Sequence, residues 1–210
     1  AEAGVSTEEM GRIARLGIER AGARPAFLGY RGYPATLCIS VNEEVVHGIP
    51  GPRKLREGDV VGLDLGCIVD GFFGDAARTV AVGQAGEAAN RLMKVTRESL
   101  LAGIDVCRPG KRVGDIGHAV QTHAEGHGYS VVREFVGHGI GTSLHEEPQV
   151  PNYGPPGRRE RLVPGMCLAI EPMVNVGGPE VEVLSDGWTA ITRDRSLSAT
   201  GRRLEMALLT

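Results

Sequence analysis

Apolar residues recur at helical spacing early in the chain, where Met10, Ile13 and Ala14 follow Ser6-Thr7-Glu8-Glu9. That tetrapeptide is a capping-box pattern, in which a hydroxyl and a carboxylate satisfy backbone donors at a helix start, and it predicts a helix running to Gly22. A second helical stripe, Ala88, Leu92, Val95, Ser99 and Ala102, continues to Val106 and stops at Pro109-Gly110, and a third covers Val113 to Gly126. Elsewhere the rhythm changes. Asp59 to Val82, Met166 to Val176 and Val181 to Ile191 are apolar, β-branched runs broken by turn residues, and they predict strands. Asp70-Gly71 is a two-residue hairpin signal, because the turn that suits twisted strands needs positive φ at both positions. Helices followed by hairpins, twice over, indicate an α+β chain with antiparallel sheet.

The signals also repeat in detail. Gly58-Asp59-Val60-Val61-Gly62-Leu63-Asp64 and Gly165-Met166-Cys167-Leu168-Ala169-Ile170-Glu171 each read as a glycine, an apolar strand and an acid at the same offset. Upstream of them stand His47-Gly48-Ile49-Pro50 and His138-Gly139-Ile140-Gly141. We therefore expect one domain over residues 1–210 built of two related halves, about 1–108 and 109–210, each bringing one histidine and at least one carboxylate to a central site. With 41% hydrophobic and 23% charged residues the chain has enough apolar side chains for a substantial core. A net charge of -3 gives no electrostatic reason to expect nucleic acid or an anionic membrane as partner, which leaves a small or peptidic substrate. No apolar run approaches the roughly 20 residues that span a bilayer, and no basic segment precedes an apolar one at the N-terminus. The expectation is a soluble, cytoplasmic monomer. Cys38, Cys67, Cys107 and Cys167 form no Cys-x-x-Cys pair and are expected to be reduced thiols.

Three acids and one histidine stand out chemically. If the turn centres on Asp70-Gly71, Asp75 lies opposite Gly66, and Gly66 shares a strand face with Asp64. The two aspartates are then diagonal neighbours roughly 7–8 Å apart at the backbone, room enough for a pair of metal ions roughly 3.5–4 Å apart. Solvated turn-flanking aspartates are the plainer alternative. Against it, Asp64 sits inside Val60-Val61-Gly62-Leu63-Asp64-Leu65, where an unpaired charge would be costly to bury. Glu171 likewise interrupts an apolar strand, as a ligand, an ion-pair partner or a base. His138 lies among glycines that allow close backbone approach. A lone histidine is often structural, but this one accompanies three intrusive carboxylates. Such a donor set suits divalent Mn, Fe, Co or Zn. His118, His123 and His127 are assigned to the solvated face of the third helix, although the last two have i,i+4 spacing. The chain carries no His-Glu-x-x-His, Gly-x-Ser-x-Gly or phosphate-binding loop.

Several segments together carry a family resemblance: Gly29-Tyr30-Arg31-Gly32-Tyr33-Pro34, Cys38-Ile39-Ser40-Val41-Asn42-Glu43, Asp70-Gly71-Phe72-Phe73-Gly74-Asp75, Gly137-His138-Gly139-Ile140-Gly141, His145-Glu146-Glu147-Pro148 and Ile170-Glu171-Pro172-Met173. Over nearly its whole length the chain resembles the type I methionine aminopeptidases, metallopeptidases of the pita-bread fold. The resemblance implies two pseudo-symmetric halves with antiparallel sheet backed by helices, and removal of the initiator methionine from new polypeptides, with peptide or nascent-chain N-termini and the ribosome as partners. It implies two divalent metal ions held by Asp64, Asp75, His138, Glu171 and a final glutamate. It further implies catalytic roles for His47, His145 and Glu171, and a methionine pocket of Tyr30, Tyr33, Cys38, Leu144 and Trp188. Leu144 and Phe27 depart from the family's usual phenylalanine and cysteine. The C-terminal stretch departs further. Without a gap, Arg202 falls on the last ligand glutamate, whereas a three-residue loop extension makes it Glu205, which is the expectation here. Two other functions stay open: an aminopeptidase P or prolidase-like peptidase, whose usual extra N-terminal domain has no room here, and a non-catalytic peptide-binding or ribosome-associated module.

Overall fold

The structure, a computed structural model, describes residues 1–206, with the backbone alone for residues 202–206. Three helices, α1 (Thr7–Arg20), α2 (Glu87–Asp105) and α3 (Val113–Gly126), lie where the apolar stripes predict them. In α1 the Ser6 hydroxyl accepts from the Glu9 amide at 3.2 Å, the first half of the expected cap. The strands in chain order are β1 (Arg24–Pro25), β2 (Leu37–Val41), β3 (Glu44–Val46), β4 (Val60–Val69), β5 (Phe72–Ala81), β6 (Ser130–Val131), β7 (Gly137–Gly139), β8 (Glu146–Val150), β9 (Cys167–Ile170), β10 (Met173–Asn175), β11 (Val181–Val183), β12 (Ala190–Thr192) and β13 (Ser198–Met206).

One large sheet runs in the order β1-β4-β5-β13-β9-β7-β8, with β2 paired to β4 and β10 to β13 and β6, while β11, β12 and β3 form a small second sheet. The pairings between these strands are antiparallel. The β4–β5 hairpin turns on Asp70 and Gly71 with φ of 50° and 85°, and its register places Asp75 opposite Gly66 as the turn position requires. The internal repeat is visible in the backbone: Gly58 and Gly165 both have φ of 87°, and β4 and β9 each begin two residues later. The Met166–Val176 run, expected as one strand, is two. It breaks at Glu171-Pro172, because proline has no amide hydrogen for a ladder.

Among the described residues, three apolar clusters hold helices to sheet, the third joining Leu92 and Ala124 to Val131, Val174 and Ala199. Met10 and Ala14 of α1 pack on a cluster containing Leu37, Ile39 and Val61, and Leu100, Val113 and Ile116 of α2 and α3 pack on Leu168 and Ile170 of β9. The fully buried Val, Leu and Ile side chains among these, such as Val61, Ile116 and Ile170, each contribute about 1.5–3 kcal/mol relative to exposure. The four cysteines form no disulfide. Among the described residues no helix is long and apolar enough to cross a membrane.

Candidate metal centre and cleft

Asp64 on β4, Asp75 on β5, His138 on β7 and Glu171 just after β9 are all buried, with exposures of 6, 4, 5 and 3%. His138 Nε2 lies 2.9 Å from Glu171 Oε1 and 3.8 Å from Asp75 Oδ2. One ligand atom from each of Asp75, His138 and Glu171 falls within 4.8 Å of the others. β5 and β7 are three strand steps apart, roughly 14 Å in a flat sheet. The side chains meet only because the sheet curves and this face is concave. Asp64 is the diagonal neighbour of Asp75 across the hairpin and lines the same cleft.

Small residues permit the close approach. A Cβ on Gly137 would overlap the Ala169 carbonyl oxygen of β9, and one on Gly139 would overlap that of Glu147 in β8. The His138 ring is oriented by its own strand: Nδ1 donates to the Gly139 carbonyl at 2.8 Å, which presents Nε2 to the carboxylates. The Asn152 amide, fully buried, donates to the Glu171 carbonyl at 2.7 Å and holds the strand break in place.

The donor chemistry fits a divalent cation. Three carboxylates and an imidazole gathered out of solvent concentrate negative charge that is costly to bury without a counter-charge. Oxygen donors with one nitrogen match Mn, Fe, Co or Zn. Glu205, the further expected ligand, has its side chain outside the described residues. The three-residue loop extension expected before it is absent from the backbone. β13 keeps a single register from Asn175↔Ser198 to Cys167↔Met206, so Arg202 pairs with Ala77, itself opposite Asp64, and Glu205 pairs with Leu168.

Beside the ligands opens a cleft of about 150 Å³, the scale of cavity that holds one small ring or unbranched side chain. Phe27, Tyr33, Cys38, Leu144 and Trp188 form its apolar wall, Asp64 and Asp75 its acidic end. The Tyr33 hydroxyl donates to the Leu37 and Gly48 carbonyls at 3.1 and 2.9 Å. Burial, reinforced by Cys38 and Asp64, pushes its pKa far up, so it is a neutral phenol. Trp188 meets Tyr33 edge-on at 5.1 Å and is set by Asp186, whose carboxylate accepts from the Trp188 and Thr189 amides.

His145 is exposed at the mouth, its ring 4.2 Å from that of His138, and its Nδ1 lies 2.8 Å from the Tyr30 hydroxyl. His47, half-buried with φ of 62°, stands edge-on to Phe135 at 5.3 Å and to Trp188 at 6.4 Å. The sequence-predicted residues from Tyr30 to Glu171 thus converge on one cleft, with the four ligand candidates buried and the two further histidines at its rim. Asn152 and Phe135 also belong to this region and carry no local signal in the sequence, and Arg31, inside one of the family segments, joins the lining. A larger groove of about 940 Å³ between β5 and α2 contains none of these groups.

Known proteins are similar to this chain in sequence and fold. Residues 1–205 match metallopeptidase family M24. The chain is 50% identical over 191 residues to methionine aminopeptidase 1 of Bacillus subtilis, spanning 91% of this chain and 77% of that protein. The crystal structure of methionine aminopeptidase from Rickettsia prowazekii superposes with a TM-score of 0.96 at 40% identity, covering 99% of this chain and 88% of the other. That from Thermotoga maritima gives 0.95 at 42%, covering 99 and 87%. The α+β architecture is accordingly the pita-bread fold. The family match over nearly the whole chain and the identity to these relatives place the chain in metallopeptidase family M24.

Proposed function

We propose that this chain is a type I methionine aminopeptidase that hydrolyses the bond after the N-terminal methionine of peptides or nascent chains in the cytoplasm. The observation that carries the reading is the short cleft walled by Tyr33, Cys38, Leu144 and Trp188 that ends on Asp64 and Asp75. A cleft of that size accepts one flexible thioether side chain, for which aromatic and sulfur contacts are favourable. Its acidic end limits cleavage to the first residue.

Asp64, Asp75, His138 and Glu171 are the residues proposed to hold two divalent metal ions, with Glu205 the remaining candidate ligand. When bound, such ions acidify a water and polarise the scissile carbonyl. The chain's own groups do the rest. Glu171 takes a proton from the attacking water and delivers it to the leaving amine. The Tyr30 hydroxyl lies 2.8 Å from His145 Nδ1; in the reactive tautomer it is the donor, and the imidazole proton on Nε2 donates to the carbonyl oxygen as negative charge develops there. His47, braced by Phe135 and Trp188, orients the peptide at the rim.

One observation favours a metal-impaired, peptide-binding chain instead: the β13 register puts position 202, an arginine, in the row of Asp64. A single assay separates the readings. Stripped protein is supplied with Mn, Co, Fe or Zn and offered Met-Ala-Ser, with Met-Pro and Ala-Pro as controls. Metal-dependent release of methionine from Met-Ala-Ser, abolished by Asp75→Ala, is the expected result. Preference for Ala-Pro indicates a prolidase-like enzyme, and no cleavage with any metal by the folded protein rejects the proposal.

A further inference from the structure

Away from the cleft, α2 and α3 pack antiparallel, with Gly103 close against Val120 and Glu98 against His123. His123 on α3 and His127, the residue that caps its C-terminus, lie one turn apart, and their rings are 4.5 Å between centroids. One ligand atom from each of Glu98, His123 and His127 lies within 4.8 Å of the others. Two hydrogen-bonding details prepare these rings for a metal. His127 Nδ1 lies 2.7 Å from the His123 carbonyl, which can only accept, so the proton is on Nδ1 and the Nε2 lone pair is left for a ligand. His123 Nε2 is buried, has no hydrogen-bond partner among the described residues, and sits 3.4 Å from Glu98 Oε2.

A simple ion pair explains less. At 3.4 Å between half-buried groups it is a weak contact, and it gives His127 no part. Glu98 also has a second oxygen 3.9 Å from Lys94 Nζ, and Arg91 is engaged with the His127 carbonyl, so the flanking cations have partners of their own. We infer that Glu98, His123 and His127 form a peripheral site for one divalent ion of the zinc, nickel or copper type, with a solvent-filled fourth position, that cross-links α2 to α3. Two histidines at i,i+4 on one helix face can reach a common ion, as in helical zinc motifs. Zinc–nitrogen and zinc–oxygen bonds of roughly 2.0–2.2 Å bring tetrahedral ligands to roughly 3.3–3.6 Å of one another. Small rotations of these side chains close the present spacing. Imidazole donors exclude magnesium and calcium, which take oxygen.

The test uses the full chain, stripped and dialysed against low-micromolar zinc, with bound metal counted. Wild type should hold one zinc more than His127→Gln, an exposed position whose replacement leaves the metal-free melting temperature and the peptidase activity unchanged; Glu98→Gln is the second variant should that one fold poorly. Copper added to the wild type should show spin coupling to two imidazole nitrogens, falling to one in His127→Gln, and excess magnesium should displace neither ion. Equal zinc content in wild type and both variants, or loss of zinc in Asp75→Ala alone, overturns the inference by placing all the bound metal in the buried centre.

Discussion

Tyr30→Phe removes one hydroxyl and nothing else from the rim of the cleft. The ring remains as part of the cleft lining, and Arg31 still lies over it at 5.4 Å, so the pocket keeps its shape. What disappears is the 2.8 Å hydrogen bond to His145 Nδ1. A neutral hydrogen bond of that length is worth about 0.5–1.5 kcal/mol net, and His145 is exposed, so water replaces part of it. A loss of about 1 kcal/mol corresponds to roughly a fivefold fall in rate. If His145 acts on the developing oxyanion, the fall lies in kcat and the KM for Met-Ala-Ser is unchanged. The check is a double-mutant cycle with His145→Ala. Tyr30→Phe should have no further effect in that background, giving a coupling of about 1 kcal/mol. An equal loss in both backgrounds, or a raised KM at constant kcat, would show that Tyr30 serves only as pocket wall and refute the orienting role.

Two other substitutions probe the centre from its backbone. Arg202→Glu puts a carboxylate at the position whose register pairs it with Ala77 and the row of Asp64; manganese should bind more tightly and methionine release should saturate at a lower metal concentration, while Glu205→Gln, at the remaining candidate ligand, should lower the metal content, and unaltered content in that variant would remove Glu205 from the ligand set. Gly137→Ala forces a Cβ onto the Ala169 carbonyl oxygen, so urea unfolding should show a loss of about 1–3 kcal/mol together with weaker metal binding, and a wild-type midpoint would show that β7 can shift to make room.

The legible features share a short-range cause. Asp70-Gly71 could only form a two-residue turn, and that turn alone determined which residue faces Asp75. Gly58 and Gly165 announced two related strands because each must leave the helical side of backbone space before the strand begins. Glu171 was conspicuous as one acid in an apolar run. The features with no local signature depend on partners distant in sequence. Tyr30 and His145 are 115 residues apart, and nothing near either predicts the bond. Asn152 lies in an irregular segment whose period carries no message, yet it braces the backbone of Glu171. His123 reads as solvated because its own helix face is polar, and the packing of α2 half-buries it against Glu98.

The strand order explains why the C-terminal strand matters more than its place at the end of the chain suggests. Asp64 and Asp75 arrive on β4 and β5, His138 and Glu171 on or beside β7 and β9, and β13 is the strand between the two groups. Among the described residues its backbone ladder to β5 is the pairing of Gly201 with Arg78 and Arg202 with Ala77, while it pairs with β10 at one end and β9 at the other. The Thr79 hydroxyl reinforces this thin contact, donating to the Thr200 carbonyl at 2.7 Å and accepting from its amide at 2.9 Å. The separation between the two ligand groups is therefore set by a few residues of β13. A cation bridging Asp75 to His138 and Glu171 would also tie the strands on either side of that seam, so that metal affinity and closure of the sheet are linked free energies. A residue on β13 can thus alter the centre without touching a ligand, by changing how closely its two sides are held.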